Sequence, residues 1–349
     1  MTDAPAASAS AIRFPQAEPP SAGSALEIAP GVLWMRLPLP MALDHVNCYA
    51  LDEGDGWTVI DTGIDWAEAR TVWVELLDGP LRGKPVRRLV ITHHHPDHLG
   101  LAAWFVAGGA ELLIPRTAWL YARMLTHAVE PLPSAQQIDF WRKAGMPEAM
   151  IAERATQRPF NFADSVLPLP PCYTRLQDGQ TLRMGGRDWL IRMGDGHAPE
   201  QATFWEVGGD LVIGGDQLLP GISANISAYA TEPEADPLAE WLSSCARLAP
   251  FATDTQLVLP GHKLPFTGLP LRLRQMVENH LGALERLRRH LEVPRTAAEC
   301  FLPLFKREIT GSAYGMALGE AVAHLNYLWK LGEITRRTTE EGRWEWQLK

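Results

Sequence analysis

The chain has 349 residues, of which 46% are hydrophobic and 21% are charged, and its formal net charge at pH 7 is −9. This composition is typical of a soluble globular protein with one large domain and a small one. The acidic charge disfavours nucleic acid and anionic membranes as partners, the scattered cysteines exclude a disulfide framework, and no apolar run is long enough to predict a membrane span.

Residues 1–25 are rich in Ala, Ser and Pro and lack the basic start and apolar centre of a signal peptide. They predict a disordered tail on a cytoplasmic protein. From Leu26 onward, short β-branched and aromatic runs are separated by Pro-Gly and Asp-Gly turns, which predict strands. A segment with helical spacing follows, with Val72 and Trp73 on one face, and a second short helix is predicted over residues 99–108. This mixture indicates an α/β layered fold.

Residues 118–162 interrupt the strand pattern with aromatic, Met-containing helical segments. They predict a helical insertion, which would be either a lid over a site or a helical layer packed on the sheet. Strands then resume, and a helix is predicted over residues 237–248. Residues 269–349 continue with three helical segments and an alternating terminal pair, which is the outline of a small, mostly helical, winged-helix-like domain.

The stretch "HHHPDH", which begins at His93, combines four histidines with an aspartate. An extended backbone sends His93 and His95 to the same side, and His94 to another. The proline favours extended backbone before it and a helix start after it, so Asp97 and His98 would lie at a helix N-terminus beside the first pair. Imidazoles with a carboxylate suit zinc, and also iron or manganese. The stretch therefore predicts a metal site.

Three residues downstream are further candidate ligands, because each lies in a turn after a predicted strand. His197 is flanked by a Gly-containing turn, Asp216 follows two glycines, and His262 follows Pro-Gly. Loops at strand ends are where a metal site on a sheet scaffold is built. Taken singly, each of the three could instead be a capping or turn residue.

In these residues the chain resembles the metallo-β-lactamase superfamily. The cluster matches the H-x-H-x-D-H signature of that family, the three downstream residues match its remaining ligands in order, and "VIDTG" matches the segment that precedes the signature. The resemblance covers residues 26–268. It implies a four-layer αββα sandwich with the metal site at one edge of its two sheets.

The resemblance also implies how the ligands divide between two Zn²⁺ ions, with iron or manganese as alternatives. One ion would be held by His93, His95 and His197, the other by Asp97, His98 and His262, and Asp216 would bridge both. His95 replaces the Glu of the diiron flavoproteins, which argues against a redox role. The presence of Asp216 matches the ligand pattern of glyoxalase II-like, lactonase-like and nuclease-like hydrolases rather than that of β-lactamases.

Asp61 is expected to hold the far imidazole N–H of one ligand, which would fix the tautomer of that ring. The alternative for Asp61 is a turn-forming residue with no contact to the site. Two further residues are candidate substrate contacts. Lys263, beside the last ligand, could meet an anionic group, and Asn225 could contact substrate from the loop after Asp216. A solvated lysine and an ordinary loop asparagine are the alternatives.

The predicted activity is hydrolysis by a metal-bound hydroxide, with Asp97 as a ligand that also carries a proton to the leaving group. The favoured substrate is a small-molecule ester, thioester or lactone, because the net charge is acidic and the insertion contains apolar side chains that could wall an acyl pocket. These side chains, which could equally be plain core, are Trp119, Tyr121, Met124, Phe140 and Trp141.

The alternative activity is a single-stranded nucleic acid phosphodiesterase. The metal set is compatible with it, and the C-terminal outline resembles the winged-helix tail of certain superfamily members, one of which acts on single-stranded RNA. The tail is, however, only slightly basic. A β-lactamase or a non-catalytic metal-binding module is less favoured, because the ligand set is complete and includes Asp216. The C-terminal domain could instead form homodimer contacts.

Overall fold

The computed structural model describes residues 11–349, and two β-sheets lie at the centre of this part of the chain. The first sheet has the strand order β1 to β7, with the bounds Leu26–Ala29, Val32–Pro38, His45–Asp52, Trp57–Ile60, Val86–Val90, Glu111–Pro115 and Thr174–Leu176. Strands β1 to β4 pair antiparallel, whereas β4 to β7 pair parallel. The direction changes where helical crossovers begin to separate the strands.

The second sheet has the order β12-β11-β10-β9-β8. Its strands in chain order are β8 (Thr181–Met184), β9 (Arg187–Gly194), β10 (Gln201–Glu206), β11 (Leu211–Gly215) and β12 (Leu257–Pro260). Neighbours pair antiparallel except β11 and β12, which are parallel. A helical connection separates those two strands in the sequence, as parallel pairing requires.

Most central strands are buried on both faces, so their sequences are almost continuously apolar. In β2, Trp34 packs between the two sheets and Met35 packs on the outer side. In β11, Ile213 packs between the sheets and Val212 packs on the opposite side. Alternation along each strand thus produces three apolar layers, one between the sheets and one outside each of them.

Helices cover the outer face of the first sheet. These are α1 (Ala67–Asp78), α2 (Pro96–Leu99), α3 (Ala102–Ala107) and α4 (Arg116–His127). The face predicted for α1 is the buried one, since Val72 and Trp73 lie in the same apolar cluster as strand residues of this sheet.

A second helical layer covers the other sheet. It contains α5 (Ala135–Lys143), α6 (Glu148–Arg154), α7 (Pro237–Leu248), α8 (Leu269–His290), α9 (Phe301–Phe305) and α10 (Tyr314–Lys330). Helix α7 has the predicted bounds, because Asp236 accepts the Ala239 N–H as an N-cap and Pro237 occupies the first helical position. Short 3₁₀ turns occur at Phe162–Asp164, Ala249–Phe251, Ala298–Cys300 and Gly311–Ala313. Within residues 11–349, no helix combines the length and apolarity that a bilayer span needs.

The predicted four-layer αββα sandwich with a helical C-terminal region is therefore confirmed. After α10 the chain forms a hairpin of β13 (Ile334–Thr338) and β14 (Trp344–Leu348), in the predicted order of three helices and two strands. The helices of this region share one apolar cluster with α7 and the second sheet. The winged-helix classification and a homodimer contact through this region stay predictions.

The insertion predicted over residues 118–162 divides between the two helical layers. Ala118 and Ala122 of α4 pack on the first sheet, whereas Phe140 and Met146 pack into the cluster of the C-terminal helices. This arrangement matches the packed helical layer, and a lid motion stays a prediction.

Residues 11–25 differ from the predicted disordered tail. Arg13 and Thr267 exchange backbone hydrogen bonds of 3.3 and 2.9 Å, and Ile12 packs against the cluster of the C-terminal helices. Composition gave no sign of this pairing, because the partner lies far away in the sequence. Residues 1–10 are outside the described residues, so the prediction for them is untested.

Candidate metal centre

The candidate ligands lie where strands of both sheets end. The parallel strands β4 and β5 end at the same edge of the first sheet, and Asp61 and the 93–98 cluster follow them. In the second sheet, β9, β11 and β12 all run in one direction, so His197, Asp216 and His262 follow strand ends at one edge. Sheet topology therefore gathers side chains from five separate parts of the chain.

The cluster has the predicted local structure. His95 is extended, with φ of −67° and ψ of 147°, and Pro96 begins α2 as its first residue. Asp97 and His98 consequently lie in the first turn of this short helix, beside the two histidines that precede it. The proline produces this change of direction, because it disfavours helical backbone before it and is itself preset for a helix start.

The ligand-type side chains of the described residues form three groups of three, in each of which the candidate ligand atoms lie within 4.8 Å of one another. One group, His93, His98 and Asp216, shares members with the other two ligand sets. The other two groups, called here the first and the second, are His93, His95, His197 and Asp97, His98, His262. They contain the same residues as the two sets that the family resemblance implied.

Asp216 lies between the two groups. Its Oδ2 atom is 3.5 Å from Nε2 of His197, in the first group, and 3.3 Å from Nε2 of His262, in the second. Its Oδ1 atom is 3.4 Å from Nε2 of His98. Gly261 allows this close approach, because a Cβ at that position would collide with Oδ1 of Asp216. The carboxylate is therefore placed to serve both groups.

The first group consists of three imidazoles. Nδ1 of His95 lies 3.0 Å from Nε2 of His93 and 3.0 Å from Nε2 of His197. Burial lowers the pKa of both His93 and His95 well below the ordinary value, and neighbouring imidazoles add to this effect. Neutral rings offer lone pairs, which is the form of histidine that binds a metal ion.

Charged groups balance one another in the second group and around Asp216. Burial lowers the pKa of His98 and of His262, but nearby carboxylates, led by that of Asp216, outweigh burial. They raise the pKa of His98 well above its usual value and that of His262 to about 10. Conversely, burial raises the pKa of Asp216, but His262 and His98 outweigh it and hold the pKa well below the ordinary value. The carboxylates of Asp97 and Asp216 therefore need positive charge beside them, and a divalent cation would supply it.

The outward ring nitrogens show which nitrogen each histidine would offer to a metal ion. Nδ1 of His262 lies 2.7 Å from the His45 carbonyl oxygen, and Nδ1 of His197 lies 2.7 Å from that of Asn225. A carbonyl only accepts, so Nδ1 donates and the neutral ring carries its lone pair on Nε2. Within the described residues, the buried atoms Nε2 of His98 and Oδ1 of Asp216 make no hydrogen bond. These bare atoms fit a bound cation.

Asp61 makes the predicted contact with a ligand. Its Oδ2 lies 2.8 Å from Nδ1 of His98 and accepts the Thr92 hydroxyl at 2.8 Å, while its Oδ1 accepts the Thr92 backbone N–H at 2.8 Å. The backbone φ of Asp61 is +59°, in the left-handed region that Asp adopts more readily than most residues. The alternative of a turn residue without contact to the site is wrong.

Sequence reasoning missed three groups that orient ligands. Oγ1 of Thr92 lies 3.0 Å from Nδ1 of His93, and the carbonyls of His45 and Asn225 hold two other histidines. Thr92 could have been found, because it directly precedes the signature at a strand end. The two backbone carbonyls carry no signal in the sequence.

His94 agrees with its interpretation as a residue that is not a ligand. Within residues 11–349 it belongs to none of the three-residue groups, and its buried ring packs 4.7 Å from the ring of His95 and 5.1 Å from that of Tyr121. Burial lowers the pKa of His94 to about 3, so the ring is neutral.

The two candidate substrate contacts stay predictions. The Asn225 amide donates to Glu320 at 2.9 Å and accepts from Ser227 at 2.6 Å. Lys263 has a left-handed backbone with φ of +69°, and its N–H donates to Nε2 of His45. The role of its side chain stays a prediction.

The aromatic side chains of the insertion do not share one pocket. Phe140 is 6% exposed in the cluster of the C-terminal helices, and Trp141 packs against that cluster, so the prediction that Phe140 walls an acyl pocket is wrong. Trp119 stacks on Tyr173 at 4.7 Å. Tyr121 differs from these, since it is 38% exposed and contacts His94 beside the first ligand group.

Comparison with known proteins identifies the class to which this fold and site correspond. The sequence pattern of the metallo-beta-lactamase superfamily matches residues 41–262, and that of the metallo-beta-lactamase-like C-terminal domain matches residues 284–349. The chain belongs to the metallo-beta-lactamase superfamily, and it is a metal-dependent hydrolase.

Individual relatives extend over nearly the whole chain. A beta-lactamase domain protein from Burkholderia ambifaria is 36% identical, with a TM-score of 0.89 over 97% of this chain and 98% of its own. The metallo-beta-lactamase family protein TTHA1429 from Thermus thermophilus is 26% identical, with a TM-score of 0.76 over 92% of this chain and 100% of its own. The probable metallo-hydrolase YqjP of Bacillus subtilis (strain 168) is 26% identical over 85% of this chain and 92% of its own.

Proposed function

We propose that the protein is a binuclear zinc hydrolase of a small-molecule ester, thioester or lactone. The observation that carries this proposal is the position of Asp216, whose carboxylate lies between two complete three-residue ligand groups. His93, His95 and His197 would hold one ion, Asp97, His98 and His262 the other, and Asp216 both. A set of imidazoles and carboxylates suits zinc, and iron or manganese would fit the same atoms.

Metal ions held there would supply Lewis acidity and a nucleophile at neutral pH. The protein's own groups fix the ligands and exclude competing orientations: Asp61, Thr92 and two backbone carbonyls each hold a far imidazole nitrogen. Asp97 is the ligand carboxylate with access to substrate, because its side chain is 19% exposed whereas that of Asp216 is 8% exposed. We assign Asp97 a proton-shuttle role, in which its carboxylate would accept the proton released by the attacking water and pass it to the leaving group.

The surroundings of the ligands favour a small apolar substrate. Tyr121 and Met124 lie on the exposed face of α4, at 38% and 51% exposure, and the Tyr121 ring reaches His94, which packs on the ligand His95. An apolar wall of this kind fits an acyl group. The net charge of −9 disfavours a polyanionic nucleic acid.

The test is metal analysis of protein purified without chelator, combined with hydrolysis of acyl-CoA thioesters, acyl-glutathione, lactones, a phosphodiester and nitrocefin. We expect about two zinc ions per chain and turnover of at least one thioester, ester or lactone. Turnover of the phosphodiester alone would replace this activity with a phosphodiesterase, and protein without metal would overturn the proposed centre.

A further inference from the structure

The ligand His197 is attached to a loop that the C-terminal helix α10 holds in place. The His197 ring donates through Nδ1 to the carbonyl oxygen of Asn225 at 2.7 Å. Asn225 begins the segment "NISA", residues 225–228, which has no regular secondary structure of its own. The orientation of the imidazole therefore depends on what fixes this loop.

Three hydrogen bonds connect the loop to α10. The Asn225 amide donates to Oε2 of Glu320 at 2.9 Å, and the Ala228 N–H donates to the carbonyl of Gly319 at 3.1 Å. The Ser227 hydroxyl lies 2.6 Å from Oδ1 of Asn225 and 3.3 Å from the carbonyl oxygen of Met316. One stretch of the helix thus binds the polar groups that the loop directs at it.

Gly319 permits this contact. A Cβ at that position would lie 2.9 Å from the Ala228 carbonyl oxygen and 3.0 Å from Cβ of Ser227. Glycine is less favourable than alanine inside a helix, and the close approach of loop and helix explains its presence here. This packing is a second observation, independent of the Glu320 side chain.

The position of the Glu320 carboxyl group carries a desolvation cost. Burial raises the pKa of Glu320 to about 7, and the hydrogen bond from Asn225 only partly offsets this. The backbone carbonyl of Glu320 accepts Nδ1 of His324 at 2.8 Å, which fixes the helix segment that carries the carboxyl group. A half-buried carboxyl group that accepts a hydrogen bond from one amide contributes orientation more than stability.

We propose that Glu320 is a positioning residue for the metal centre, acting through Asn225 on His197, so that α10 completes the site. This inference rests on the proposed metal centre. It assigns the C-terminal region a part in metal binding, beyond any role in substrate contact or oligomerisation.

The test measures zinc affinity of the full-length protein by competition with a chromogenic chelator, together with thermal unfolding of the metal-free protein. The variants are Glu320→Ala, Glu320→Gln and the control Glu333→Ala. Glu333 belongs to the same region but pairs with Arg288, with no connection to the loop. We expect about tenfold weaker zinc binding in Glu320→Ala, near wild-type binding in Glu320→Gln, which keeps an acceptor oxygen, and no change in the control.

Asn225→Ala removes the same connection from the other side and keeps the carbonyl that holds His197. We expect it to weaken zinc binding by a similar factor, and the double variant with Glu320→Ala to be no weaker than either alone. If Glu320→Ala does not fold, Asn225→Ala alone decides the question. Wild-type affinity in folded Glu320→Ala or in Asn225→Ala, or equal losses in the Ala and Gln variants of Glu320, would overturn the inference. A wild-type protein that takes up no zinc overturns the metal centre itself, and the inference with it.

Discussion

Oδ2 of Asp61 lies 2.8 Å from Nδ1 of the buried His98, and this hydrogen bond leaves Nε2 of that ring to face the other ligands. Asn at position 61 would tolerate the left-handed backbone but lose one of the two acceptor oxygens. We expect Asp61→Asn to weaken zinc binding about 10- to 100-fold in chelator competition. Asp188→Asn, which breaks an exposed ion pair with Arg183, is the matched control. Unchanged affinity in Asp61→Asn would show that the bond does not orient the ligand.

Substitutions at the adjacent residues His94 and His95 are expected to have different effects on metal content. His95→Gln removes a nitrogen that lies 3.0 Å from those of two other histidines, so metal content should fall from about two ions per chain toward about one. His94→Gln, at the buried ring outside the groups, should keep its metal. Elemental analysis of both variants checks this, and metal loss in His94→Gln would contradict the ligand assignment.

Asp97→Asn tests the proton-transfer role. The amide keeps an oxygen for a metal ion but cannot carry the proton, so kcat should fall about 100-fold or more at saturating zinc, with little change in KM. Steady-state kinetics on the substrate found in the panel, with metal content measured in parallel, provides the readout. Retention of both metals and of full turnover would exclude the role.

Tyr121→Ala should reduce kcat/KM for longer acyl groups more than for acetyl, by about tenfold, because the ring contributes apolar surface beside the ligands. Val74→Ala, at a 50% exposed residue on α1, is the control for loss of exposed apolar surface. An equal effect on all acyl lengths would mean that Tyr121 does not line the substrate site.

The buried pair His280 and His324 predicts a loss of stability in acid. Nδ1 of His280 lies 3.1 Å from Nε2 of His324. Burial lowers the pKa of His280 to about 3 and that of His324 to about 4. In the unfolded chain both histidines have the ordinary pKa of 6.5, so below that pH they bind more protons than in the folded protein. The stability is therefore fully present above pH 6.5 and falls as the pH drops toward 4.

The expected slope is about 1.4 kcal/mol per pH unit for each histidine. Urea unfolding of the metal-free protein between about pH 7 and about pH 4.5 should show a shallower dependence in His280→Gln than in wild type. Substitution of the exposed His127 is the control. Parallel curves for wild type and His280→Gln would contradict the prediction.

The sequence by itself determined what short-range chemistry controls. Short β-branched and aromatic runs between turns predicted the strands, and the start of α7 was predicted at Pro237. Pro96 after an extended His95 predicted the turn that places Asp97 and His98. These features depend on backbone preferences and periodicity, which are properties of residues close together in the sequence. The family resemblance supplied the grouping of the ligands, which local pattern alone left open.

Tertiary structure decided which distant groups meet. The pairing of Arg13 with Thr267, the burial of Phe140 among the C-terminal helices, and the connection from Glu320 through Asn225 to His197 join parts of the chain that share no local pattern. Backbone carbonyls hold two of the ligands, and any residue type can supply a carbonyl. Their roles follow from position in the packed molecule, because a hydrogen bond depends on distance and direction rather than on residue identity.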